Sequence, residues 1–310
     1  MKNKAIILFG PTSSGKTAAS ILLAKELGTE IISADSMQLY RLMDIGTGKP
    51  APSQLREVPH HLIDVIWPHE QWSAGRFSAE ASRTMEKLVA AGKIPLIVGG
   101  TGLYMRALTR GLMEAPQADE SLRMELLNKG EDLYGLLAQM DPETASLLAP
   151  ADIRRILRAL EVQIKTHRAM SELKRDLTAP LPYDFIKVGL TRDRAELYAL
   201  IEERVDRMLS EGLVEEVRKV LSQNIPPSKT AMQAIGYKEI EGCLGGQCPY
   251  DEAVRLIKRN TRRYAKRQFT WFKKEEGTIW VDVTGLMGAE EIYGRLRKAL
   301  MEARPELYRP

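Results

Sequence analysis

Residues 10–17, GPTSSGKT, constrain this chain more than any other stretch. They follow the short apolar run KAIILFG and precede GKTAASILLAKELG, whose Ile21, Leu22, Leu23 and Leu27 recur at helical spacing before Gly28. The run predicts a strand buried on both faces, and the second stretch predicts a helix ending at a glycine. A G-x-x-x-x-G-K-[ST] pattern between a strand and a helix is a phosphate-binding loop. Gly10 and Gly15 allow the tight wrap around Pro11, Thr12, Ser13 and Ser14. Backbone N–H groups and the helix N-terminus face the anion, Lys16 adds a point charge, and Thr17 can reach a bound Mg²⁺. Phosphate binding follows from this unit alone. Whose phosphate it is does not.

Strand-like and helix-like stretches alternate over the first 110 residues: TEIISADS, HHLIDVI, SAGRFSAEASRTMEKLVAAGK, IPLIVGG, TGLYMRALTRG. That alternation predicts a parallel α/β sheet. From 112 to 182 no strand is evident and Pro142 and Pro150 interrupt helical patterns, which reads as a helical insertion. YDFIKVGLT returns the chain to the sheet, and helices, TIWVDVT and a last helix follow. The expected organisation is a core of residues 1–111 and 183–310, with an insertion at 112–182.

A nucleotide hydrolase usually ends an apolar strand in Asp to hold Mg²⁺ through water. The obvious strand here, IPLIVGGTG, ends in two glycines. The carboxylate is Asp35, closing the second strand in IISADSMQLY. Strand C-termini form the ligand crevice of an open parallel sheet, so Asp35 belongs beside the loop. It reads as a functional carboxylate or as a turn former. Thr101, after Gly99 and Gly100, reads as a ligand hydroxyl or as part of an ordinary turn. His60 and His61, adjacent on a strand, point to opposite faces and cannot chelate one ion together.

The net charge of +4 hides an asymmetry, because residues 251–274 carry nine Lys or Arg against Asp251 and Glu252. Val254, Ile257, Thr261, Tyr264, Gln268 and Trp271 form a stripe expected to pack inward. Arg255, Arg259, Arg262, Arg263, Lys266 and Arg267 crowd the remaining arc. This is either a solvated helix or a face for a polyanion; like charges at this density favour the polyanion. Arg154, Arg155 and Arg158 form a second cluster, in the insertion. Cys243 and Cys248 are too few for a thiolate zinc site and are expected to stay reduced. No signal peptide or membrane-length apolar run is present, so a cytoplasmic location without membrane contact is expected.

GPTSSGKT, SADSMQLYRLMDIGTGKP, VPHHLIDV, VGGTGLYMRAL, RRILRALEV, TAMQAIGYKEI and NTRRYAKRQFTWFKK occur in that order. Together they closely resemble the bacterial tRNA dimethylallyltransferase (tRNA isopentenyltransferase) family over residues 4–282. The resemblance implies a P-loop NTPase-like α/β core with a parallel sheet flanked by helices, plus a helical insertion domain contacting tRNA. It implies that the loop holds the diphosphate of dimethylallyl diphosphate, with Mg²⁺ at Thr17. The acceptor would be the exocyclic amine of the adenine 3′ of the anticodon, flipped from the anticodon stem-loop.

Carried over, Asp35 is the general base, Lys16 faces the leaving group and Thr101 contacts the base or donor. Ser36, Met37 and Gln38 lie beside the adenine. Arg123, Arg154, Arg155, Arg158, Gln233, Gly236, Tyr237, Lys238, Lys266, Arg267 and Gln268 contact tRNA. Leu200 stands where the family generally shows Arg, and Ala151-Asp152 where Asn-Asp is usual. A monomer is expected. Two other activities share these features: a small-molecule or nucleotide kinase, and a non-catalytic RNA-binding P-loop protein.

Overall fold

A computed structural model describes residues 2–308 except 114, 117, 131, 177 and 178. Among these described residues, six strands form one sheet: β1 (Asn3–Phe9), β2 (Ile31–Ala34), β3 (His60–His61), β4 (Leu96–Gly99), β5 (Tyr183–Thr191) and β6 (Thr278–Asp282). Every pairing is parallel, in the order β3-β2-β4-β1-β5-β6. The central strands are the apolar runs, with residues 5–9 and 31–34 buried throughout, because helices cover both faces of a parallel sheet. Ile6, Leu8, Leu96, Ile186 and Val188 meet Leu23 of the helix Lys16–Glu26 and Leu296 of the helix Ala289–Ala303 in one core.

The third strand is shorter than HHLIDVI suggested. Leu62 and Asp64 take left-handed conformations (φ 62° and 55°), which no strand accommodates, so pairing stops after His61. The two histidines do diverge. The His60 ring nitrogen bonds the Val58 carbonyl at 2.8 Å, and His61 meets Glu30 at 2.7 Å.

The chain divides into two compact units, residues 1–105 with 182–310, and residues 106–181. The first division falls inside the helix Gly102–Arg110, a few residues before Gly111, where that helix ends. The second unit contains helices and no strand among its described residues. Its own core joins Leu126, Leu137, Ile156 and Leu160. Within it Glu161 is fully buried, receiving Arg123 at 2.9 Å, Arg158 at 2.7 Å and the Asp119 N–H. Desolvation pushes its carboxyl up, but bonds from Arg158 and Arg123 outweigh that and hold it below the usual range. Two of the arginines expected on RNA are thus committed to a buried carboxylate. Arg154 is exposed, and Arg155, also exposed, pairs with Asp152 at 3.3 Å.

Cys243 and Cys248 are unpaired thiols. Among the described residues no helix is long and apolar enough to cross a membrane.

Candidate functional site

The C-terminal ends of the strands open onto a cavity of about 1020 Å³ within the larger unit. Residues 12–17 form one wall and residues 35–38 another. Short parallel strands β1 and β2 flank β4, so the loops that follow them meet across its end.

Lys16 donates to the Pro11 carbonyl at 2.6 Å. Burial pushes its ammonium down to about 7, the Arg204 charge adds to this, and Asp35 opposes it. The Ser13 hydroxyl is buried without a hydrogen-bond partner among the described residues, and Thr17 lines the cavity. These are oxygen groups, suited to a hard cation shared with phosphate oxygens. Among the described residues no group of three His, Cys, Asp or Glu could hold a metal alone.

One oxygen of Asp35 accepts the Met37 N–H at 2.9 Å, the bond of a turn-forming Asp. The turn reading is therefore physically present, and it aims the carboxylate. The same carboxylate acts electrostatically on Lys16, Arg204, Tyr104 and Tyr264. Thr101 accepts the Ser36 N–H at 3.0 Å, so its hydroxyl fixes the turn after β2. Gln38 accepts from Ser33 and donates to the Gly48 carbonyl at 3.2 Å.

Arg204 and Glu216 were not singled out by sequence, since a lone charge on an amphipathic helix looks like any solvated residue. Arg204, on the helix Arg194–Ser210, reaches the Thr12 hydroxyl at 3.4 Å. Gly48 (φ 62°) makes room for it, because a Cβ there would lie 1.6 Å from the guanidinium. Burial lowers the Arg204 pKa while Asp35 raises it, so the cation is held where anionic charge is favoured. Leu200, one turn earlier, also faces the cavity. Glu216 accepts the Asp44, Ile45 and Gly46 N–H groups at 2.8, 2.8 and 3.0 Å, and the Tyr237 hydroxyl. This carboxylate holds the DIGTGKP loop as a cavity wall.

Several expected RNA contacts are placed otherwise. Tyr237 is fully buried against the Gly46 loop and cannot offer its ring to RNA in this arrangement. Gln268 is buried too, with its amide spent on Thr12 and Gly100. Gln233 and Lys238 are exposed, and Gly236, buried with φ 101°, turns the chain into the helix Tyr237–Leu244.

On the basic helix, Tyr250–Phe272, the buried stripe is Ala253, Ile257, Ala265, Gln268 and Phe272. Trp271, expected inside, is 37% exposed, because its indole lies over Gly102 at the rim rather than in the core. The basic arc is also less bare than expected. Arg255 pairs with Glu252, Lys258 with Asp206 and Arg262 with Glu202. Arg263, Lys266 and Arg267 are exposed with no carboxylate partner among the described residues.

Three kinds of comparison bear on this arrangement. A family model described as IPP transferase matches residues 38–275. A tRNA dimethylallyltransferase of Thermodesulfovibrio yellowstonii is 53% identical, covering 97% of this chain and 99% of its own length. The crystal structure of a full-length tRNA isopentenylpyrophosphate transferase from Bacillus halodurans is 38% identical (TM-score 0.72), covering 99% of this chain and all of that one. A eukaryotic dimethylallyltransferase acting on tRNA aligns with TM-score 0.83 at 28% identity, over 99% of this chain and 80% of that one. A match of this length and identity, on a sheet whose strand ends carry a phosphate loop and a facing carboxylate, places the chain in the IPP transferase family of tRNA prenyltransferases.

Proposed function

We propose that this chain transfers the dimethylallyl group of dimethylallyl diphosphate to the exocyclic amine of the adenine 3′ of the anticodon in tRNA, releasing diphosphate. The observation that carries this reading is Asp35, a carboxylate across the cavity from the phosphate loop and within electrostatic reach of Lys16 and Arg204. No phosphoryl group moves in this reaction, which suits a β4 that ends in Gly99 and Gly100 rather than Asp.

The loop, Lys16 and Arg204 bind the diphosphate and take up charge as the allylic carbon–oxygen bond breaks. The adenine nitrogen forms the new bond to that carbon. An exocyclic amine is a poor nucleophile, so Asp35 accepts its proton as the bond forms. Mg²⁺, held by Thr17 and diphosphate oxygens, would neutralise charge on the leaving group. Gln38 and the braced DIGTGKP loop shape the acceptor side. Arg263, Lys266, Arg267, Arg154, Arg155, Gln233 and Lys238 are the exposed groups for the anticodon stem-loop. The protein acts as a monomer.

Mass analysis of tRNA nucleosides after incubation with the protein, Mg²⁺ and dimethylallyl diphosphate tests the reading. Appearance of a prenylated adenosine supports it. A melting temperature raised by ATP and unmoved by dimethylallyl diphosphate would favour a kinase instead.

Two further results are expected. Because burial pushes the Lys16 ammonium down to about 7 and a bound anion pushes it back up, donor binding at pH 8 should be accompanied by net proton uptake at Lys16. The sign follows: uptake on binding means affinity falls as pH rises through and above 7. Calorimetry in two buffers of different ionisation enthalpy measures it, and Lys16→Met should abolish it. Zero uptake by the wild type would show that Lys16 is already charged.

Reversing Arg263 and Lys266 to Glu should weaken RNA binding and lower its log–log salt slope by about 1.5, at roughly 0.7–0.9 per lost phosphate contact. Donor affinity should hold. A slope equal to that of the wild type would make the arc a solvated face.

A further inference from the structure

Gln268 sits on the basic helix next to two exposed cations, Lys266 and Arg267, yet its own side chain points into the protein and is 6% exposed. Its carbonyl oxygen accepts the N–H of Thr12, in the phosphate loop, at 2.9 Å. Its amide nitrogen donates to the carbonyl of Gly100, at the end of β4, at 3.0 Å. Both are main-chain partners, so the bonds fix backbone positions rather than rotamers. Gly100 is required for this, since a Cβ there would lie 2.3 Å from the Gln268 nitrogen. The two partners serve different substrates. Thr12 belongs to the donor loop and also meets Arg204. Gly100 precedes Thr101, whose hydroxyl holds Ser36 beside Asp35.

We propose that Gln268 is a positioning residue that couples the two substrates: RNA docking on the basic helix is transmitted through its amide to the donor loop. The physical basis is a shared ordering cost. RNA that immobilises the helix also immobilises Gln268, and with it Thr12 and Gly100. A donor binding next finds that cost already met, and the reverse holds by linkage. The inference rests on the functional reading above, and it departs from the expectation that Gln268 itself touches RNA.

The test uses the full chain, a non-reactive dimethylallyl thiolodiphosphate and an anticodon stem-loop RNA. For the wild type, RNA should tighten analogue binding by about fivefold or more, in the usual range of coupling between sites. Gln268→Met keeps the size and removes both bonds. There the enhancement should shrink to within about twofold, and kcat should fall by about 10–100-fold. Each single-ligand affinity should stay within about threefold of wild type, which separates coupling from substrate contact. Gln268→Glu still accepts from Thr12 but cannot donate to Gly100, and should fall between the two.

Four outcomes overturn the inference. These are no enhancement in the wild type, full enhancement in Gln268→Met, loss of RNA affinity alone, or a lowered melting temperature with both single affinities reduced together. The third makes Gln268 an RNA contact and the fourth makes it scaffold. A wild type that binds neither analogue nor RNA overturns the functional reading, and this inference with it.

Discussion

Asp35→Asn is expected to lower turnover by ~10²–10⁴-fold, the usual worth of a positioned base. Asn keeps the size of the side chain and its carbonyl oxygen can still accept the Met37 N–H, so the turn after β2 should persist. Affinity for RNA should change little, because an amide can still hydrogen-bond an adenine. If the carboxylate only shaped the turn, rate and binding would both survive. If it anchored Mg²⁺, donor binding would suffer first and excess Mg²⁺ would partly restore it. Single-turnover rates, RNA affinity and a Mg²⁺ titration on one variant separate the three. Lost rate with retained binding and no rescue is the expected pattern.

The parts of this molecule that were legible in its sequence are those whose causes are local. The phosphate loop is a spacing of Gly, Lys and Thr between an apolar run and a helix, and it folds as that spacing requires. The central strands are apolar because both faces are covered, so β1, β2 and β4 could be read one by one. The limits of β3 could not, since nothing local marks Leu62 and Asp64 as left-handed. Arg204 and Glu216, which the sequence does not single out, and Tyr237, which it places on RNA, share one feature. All three act through partners more than 20 residues away, across loops whose positions only the fold decides. Trp271 shows the opposite error. Helical spacing put it in the core stripe, whereas Gly102 leaves a shallow seat for its indole at the surface. The basic arc shows why a charge count overstates a binding face. Glu202 and Asp206 of the neighbouring helix neutralise part of it, and no window of sequence contains both helices.

Glu161→Ala is expected to destabilise the helical unit by about 3 kcal/mol, near the lower end for breaking a buried ion pair. Glu161 is 0% exposed, but its partners Arg123 and Arg158 are 22% and 29% exposed, so water can partly receive the stranded charges. Asp119 would also lose the acceptor of its N–H, at the start of the helix Glu120–Asn128. Hydrogen exchange over residues 119–166 measures this locally, where a global melt could miss it. The carboxyl is held below its ordinary value, so its contribution is present above the unfolded pKa and lost as pH falls through the folded one. Wild type and variant should therefore begin to converge in stability only as pH falls below the ordinary glutamate value of about 4.3. The same variant tests the role of the two arginines. If Arg123 and Arg158 gripped RNA directly, freeing them from Glu161 would raise RNA affinity, through two unpaired cations. If they are struts, RNA affinity should hold or fall with the local unfolding, and Arg154→Ala should weaken RNA binding more than Arg123→Ala does. The burial of Glu161, with both guanidinium groups and a backbone N–H directed at it, favours the strut.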